Sequence, residues 1–155
     1  MLSNMKTQNN ALLMKHLDKF YNQADIPWVN LTWTKFYSNY QTPPQARSLV
    51  GSFWWKDIMK LFDKFRLATC HPHRGKVAIF WSDHWMGEAL KDTYPQLFSF
   101  TTKPKCSIRY FLDQVTDRKF TLPLSTQAAA QFEELQALLL ERVWDDNLND
   151  IWSYS

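Results

Sequence analysis

Four of the eight tryptophans fall in two short stretches, Ser52-Phe53-Trp54-Trp55-Lys56-Asp57 and Ile79-Phe80-Trp81-Ser82-Asp83-His84-Trp85. Rings of that size must either fill a core or present a surface that stacks on something flat. Most of them coincide with apolar stripes at helical or strand spacing, so packing is the reading they favour. The chain of 155 residues is long enough for one domain with a real core. The expected layout is a polar N-terminal segment (1–10), a single helical domain (11–143, with sub-units 11–67 and 76–143) and an acidic tail (144–155).

Apolar periodicity predicts a first helix over 11–21, with Lys15, Asp18 and Lys19 facing out. A second begins at Pro27, with Asp25 as its cap and Trp28, Leu31 and Phe36 along it to about Tyr40. Pro43-Pro44 marks a loop. Ser52 is placed to cap a third helix to about Leu67, whose stripe is Trp55, Ile58, Met59, Phe62 and Phe65. The segment 76–81 is short, β-branched and aromatic. It reads as a strand, joined in a hairpin to a partner near 67–70. A helical turn is expected around 94–98, and a short helix capped by Ser107. A long helix over 126–143 follows, with Ala128, Phe132, Leu135, Leu139 and Val143 on its stripe. The class is therefore mainly α with a small β element (α+β), its helices packed around an aromatic core with one short strand or hairpin.

No apolar run approaches the roughly 20 residues of a membrane helix, and the polar start lacks the layout of a signal peptide. An intracellular, reducing setting makes Cys70 and Cys106 free thiols. Residues 1–110 carry 15 Lys/Arg against 7 Asp/Glu, net +8; residues 111–155 carry 3 against 8, net −5. A basic body with an acidic tail suits nucleic-acid contact by the body, and equally a tail docked on the body.

Candidate chemistry is sparse. Cys70-His71-Pro72-His73 holds soft ligands, with Cys106 or His84 available to complete a zinc site, but neighbouring ligands strain a tetrahedral geometry. Asp145, Asn147 and Asn149 alternate as in a calcium loop, without its sixth-position glycine. A solvated acidic tail is the simpler reading there. Ser82-Asp83-His84 cannot form a relay, because consecutive strand residues face opposite ways. Lys56, Lys60 and Lys64 recur every four residues on one helix face, and Arg66, Arg74 and Lys76 lie just beyond. Such a stripe suits phosphate contacts. It equally suits an ordinary solvated face, since Asp57 and Asp63 interleave and can pair with the lysines.

Five blocks, in order, carry a resemblance: 6–17 (KTQNNALLMKHL), 26–29 (IPWV), 51–58 (GSFWWKDI), 80–85 (FWSDHW) and 94–100 (YPQLFSF). The series resembles plant non-LTR (LINE-type) retrotransposon reverse transcriptases. The similar region is the one C-terminal to the polymerase palm and before the zinc-binding segment, and it covers residues 6–154. The resemblance implies a thumb or connection piece that helps hold the template. Catalysis in that family belongs to an aromatic-x-Asp-Asp hairpin upstream. No catalytic, metal or cofactor residue therefore carries over, and Val143-Trp144-Asp145-Asp146 lacks the further carboxylate of a two-metal site. The chain is expected to be a non-enzymatic piece of a decayed element. RNA or DNA is the implied partner, with no small-molecule substrate and no membrane. The other readings are a self-associating protein-interaction module with an exposed aromatic surface, or a remnant without function.

Overall fold

The computed structural model describes residues 2–37, 42–46, 53–62 and 69–153. Helices α1 (Leu2–Tyr21), α2 (Pro27–Phe36) and α3 (Phe53–Lys60) come first, with a 3-10 turn at Pro44–Ala46 between the last two. Strand β1 (Thr69–His71) follows. Four short helices, α4 (Leu90–Thr93), α5 (Pro95–Phe98), α6 (Ile108–Asp113) and α7 (Thr116–Lys119), lead to α8 (Thr126–Glu141) and strand β2 (Ile151–Ser153). The protein is mainly helical with a two-stranded antiparallel sheet.

Helix α1 begins well before the periodic stretch, so the polar segment 1–10 is helical from Leu2 onward. It ends when Gln23 turns left-handed at φ 51°. The Gln23 N–H then reaches Phe20 O and the Ala24 N–H reaches Lys19 O, satisfying two end carbonyls. Pro27 opens α2 as expected, but Asp25 is not its cap. Ile26 occupies the cap position with no side-chain bond, and the Asp25 carboxylate accepts from Asn30 Nδ2 instead. The buried face of α2 is Val29 and Trp33, while Leu31 is exposed. Trp33 decides this orientation: it stacks on Phe20 at 4.4 Å and donates its indole N–H to Phe20 O at 2.9 Å. Helix α3 buries Trp55, Ile58 and Met59, with Phe62 just beyond it; Trp54 is exposed. The expected Ser52 cap and the stretch 63–68 lie outside the described residues.

Ser107 caps α6 by accepting from the Tyr110 N–H, and Ser125 caps α8 by accepting from the Ala128 N–H. Helix α8 stops at Glu141, which leaves Val143 exposed beyond it. At 16 residues it is shorter than α1, with 20. One hydrophobic cluster draws on α1 to α6, α8 and both strands. Phe20, Trp33, Tyr37 and Trp55 pack at its N-terminal side. Phe80, Trp81, Phe111, Phe120 and Phe132 form a chain of ring contacts at the other, with Phe80 and Phe111 stacked at 3.8 Å.

Two expectations are corrected at the sheet. The segment 76–81 is not a hairpin strand, and β1 pairs with the C-terminal β2 instead, Cys70 opposite Trp152. The reason lies in where the backbone N–H groups of 73–79 go. Asp150 Oδ1 accepts from His73 N and Gly75 N, each at 2.8 Å, and Asp150 Oδ2 accepts from Val77 N at 3.1 Å. Asp83 Oδ2 takes Ile79 N at 2.6 Å. Carboxylates occupy the alternate donors that a partner strand would need. The groups in between face the 106–109 turn: Arg109 N reaches Gly75 O, Ile108 N reaches Ala78 O, and Phe80 N reaches Cys106 O.

The same bonds correct the solvated-tail reading at its end, while residues 146–149 are exposed as that reading expects. Asp150 and Trp152 are buried. Trp152 packs against Tyr21 at 5.3 Å. The backbone N–H and C=O of Trp152 are both bound by the Asn22 side-chain amide, which stands where a third strand would. Gly75 makes the close approach of its segment to the 106–109 turn possible: its φ of +73° is left-handed, and an added Cβ would lie 3.1 Å from Ile108 Cβ.

Asp150→Ala should therefore destabilise the protein by about 3 kcal/mol in urea unfolding, because three N–H groups lose their acceptor inside the fold. Asp150→Asn should cost less, since its one remaining oxygen can still serve His73 and Gly75. A loss below about 1 kcal/mol for the alanine variant would mean that water replaces the carboxylate there.

Candidate nucleic-acid interface

The carboxylates and thiols singled out by the sequence are largely engaged in holding the fold. Cys70 and His71 sit side by side on β1, Cys70 buried and His71 exposed, so the two cannot face one ligand. His71 and His73 rings approach to 5.1 Å edge to face. Among the described residues no group of three or more His, Cys, Asp or Glu could hold a metal ion. Asp83 is buried and accepts from Ile79 N and Gln45 Nε2, while its neighbour His84 is exposed. In the tail, Asp145 accepts from Asn147 N in a tight turn, and Asp146 pairs with Arg109. No helix among the described residues is long and apolar enough to cross a membrane.

Of the six basic residues proposed for phosphate contact, Lys64 and Arg66 lie outside the described residues. Lys56 is half-buried on α3, and Lys60 is exposed with its ammonium 3.6 Å from Asp57. That pair is solvated and holds the lysine only weakly. Arg74 belongs to a different neighbourhood. It is half-buried, its guanidinium donates to Gln23 Oε1, and its carbonyl accepts from Arg109 Nε. Lys76 is half-buried on the segment that Asp150 holds. The four described residues are thus divided between α3 and the 73–79 segment, and Arg74 works as a clasp to the end of α1.

A second basic group was not legible in the sequence. Thr101 and Phe120 form an antiparallel bridge. Thr102 N donates to Lys119 O, and Thr121 N donates to Phe100 O. The Thr102 hydroxyl also reaches the carbonyls of Arg118 and Lys119. These bonds lay Lys103 beside Arg118 and Lys119, with Lys105 two residues further along the same loop. Lys103, Arg118 and Lys119 line one hollow with Tyr110 and Gln114. An adjoining cavity of about 350 Å³ is lined by Thr42, Thr102, Lys103, Pro104, Lys105 and Cys106. The only sequence signals were two short basic pairs about a dozen residues apart, and nothing local says that they meet.

The thiols face inward. Burial pushes the Cys106 thiol up to about 12. Burial raises Cys70 further still, and the charges of Asp150 and Asp83 add to the rise. Both are poor nucleophiles at neutral pH, since the thiolate is the reactive form. No family model, curated protein or solved structure matches this chain.

Both cysteines should resist a thiol reagent such as Ellman's in the native protein and react at once in urea. The raised values also set a pH dependence. The unfolded thiols ionise near 9 while the folded ones stay protonated, so the unfolded state holds fewer protons above that point. Stability should be level in this respect below pH 9 and decline between there and about 12. The Cys70→Ala/Cys106→Ala variant should show a shallower decline. Rapid labelling of the native chain would contradict the burial.

Proposed function

We propose that this chain is a non-catalytic nucleic-acid-binding domain, similar to the post-polymerase region of plant non-LTR retrotransposon reverse transcriptases. The observation that carries it is the fate of the acidic tail. Asp150 is taken up by backbone N–H groups and Asp146 by Arg109. The tail therefore does not lie over the exposed cations Lys60, Lys103, Lys105 and Arg118, and the body keeps its basic surface. The five blocks of the resemblance support it too. Each supplies core residues: Leu17; Val29; Trp55 and Ile58; Phe80, Trp81 and Trp85; Tyr94 and Leu97. Blocks that pack together are what a shared fold would retain. The non-catalytic part rests on the absence of the palm motif from the sequence and on the structural use of Asp83 and Asp150.

The second reading, self-association, has one observation in its favour. Leu140 and Val143 are more than four-fifths exposed at the end of α8, with Leu148 half exposed nearby in sequence. Apolar side chains gathered at one end of a helix are a route to dimers. Sedimentation of the chain across a wide concentration range separates this reading from a monomeric binder.

The purified chain should bind a short fluorescein-labelled single-stranded RNA or DNA by anisotropy at low salt. Affinity should fall linearly in log–log form as salt rises, because binding releases condensed counterions. No binding to either strand at low salt would end the nucleic-acid reading. Magnesium-dependent polymerase or nuclease turnover would end the non-catalytic one.

A further inference from the structure

The surface cations of this chain are not equally committed. Lys60 has Asp57 beside it. Arg109 is held between Asp113 and Asp146. Lys103, Lys105, Arg118 and Lys119 have no such partner among the described residues, although the fold sets the 101–105 loop against the end of α7. Lys103 Nζ is held at 2.8 Å from the Tyr110 hydroxyl and lies over its ring. Lys119 lies over the Phe111 ring at 4.7 Å. Burial lowers its pKa, and the charge of Asp113 on α6 opposes that shift. Asp117 stands exposed on the same turn as Arg118 and is the other acid of this surface. Lys119 is thus partly desolvated, and an anion laid across it and its exposed neighbours offsets that cost.

We propose that the Lys103–Lys105–Arg118–Lys119 cradle is the site where the chain grips the sugar-phosphate backbone of a single nucleic-acid strand. The inference rests on the nucleic-acid reading above and moves the contact away from the third helix. The shape favours a polyanion over a lone phosphate. Lys103 and Lys105 line an open cavity of about 350 Å³, and Lys103 also lines the neighbouring hollow with Arg118 and Lys119, so the cations are spread along a line and not gathered at one closed point. The loops are tied by backbone bonds at Thr101–Phe120, Thr102–Lys119 and Phe100–Thr121, so the cations are presented by a fixed frame. Contacts to the sugar-phosphate backbone position a strand without reading its bases, and binding through these cations is accordingly tolerant of sequence.

The test uses the full chain and a short fluorescein-labelled single-stranded oligonucleotide, with Lys103→Gln/Lys105→Gln/Arg118→Gln set against Lys56→Gln/Lys60→Gln. Lys119 is left in place because it packs on Phe111. The cradle variant should weaken binding by about tenfold or more at low salt, and lower the salt slope by about two, since each lost single-strand contact removes about 0.7. The third-helix variant should bind nearly as the parent does. An unchanged thermal melt checks that the exposed substitutions leave the fold alone. If the third-helix variant alone loses binding, the cradle is wrong while the nucleic-acid reading stands. If the parent chain binds no oligonucleotide, both fall. Poly-aspartate that competes as well per charge as the oligonucleotide would also overturn the proposal, because the cradle would then sense only charge.

Discussion

Two buried carboxylates organise this molecule. Asp150 and Asp83 between them accept from His73, Gly75, Val77 and Ile79, the alternate N–H groups along one side of the chain. A stretch with that composition would ordinarily pair with a neighbouring strand. Here its donors are already satisfied, so its side chains are delivered to the core without a hairpin. A carboxylate that accepts several backbone N–H groups holds its segment strongly, and removing it strands every donor at once. The second consequence is long-range. Asp150 lies at the far end of the sequence, so the tail must return across β1 before the middle of the chain is complete.

The aromatic core is built on the same economy of polar groups. Large rings bring indole N–H groups inside, and those need acceptors. Trp33 gives its N–H to Phe20 O, Trp85 to Phe80 O, and Trp55 to the Tyr37 hydroxyl. Each bond also sets a helix or turn in rotation. The orientation of α2, with Leu31 outward and Trp33 inward, follows from one such bond and one stacked pair. The polar residues that most suggested chemistry in the linear chain, Cys70, Asp83 and Asp150, are absorbed by this interior. Among the described residues, exposed cations and a few apolar side chains at the end of α8 are what stays at the surface without such a structural use.

Much of the fold was legible because it is local. Pro27 at the start of α2, Ser107 as a cap, the start of α8 at Thr126 and the helical turn near 94–98 all depend on neighbours a few residues away. The stripe of α3 was readable for the same reason, since Trp55, Ile58 and Met59 share one face. Misreadings came where another partner, near or distant, outbid the expected one. Asp25 looked like a cap but its carboxylate turns to Asn30. The segment 76–81 had strand composition, but its donors went to carboxylates. The tail 144–155 had no periodicity because a strand of three residues and one buried aspartate are too short to show any.

The sequence by itself determined the class: a mainly helical chain with an aromatic core and a small β element. Ring content, stripe spacing and capping residues are sufficient for that, because they act within a turn or two of the backbone. Only the tertiary structure decided which charges remain available. It buried Asp150, paired Asp146 with Arg109, and set Lys103 beside Arg118 and Lys119 through the Thr101–Phe120 bridge. Those pairings join residues far apart in the chain, and no local pattern encodes a contact whose two halves are each unremarkable alone.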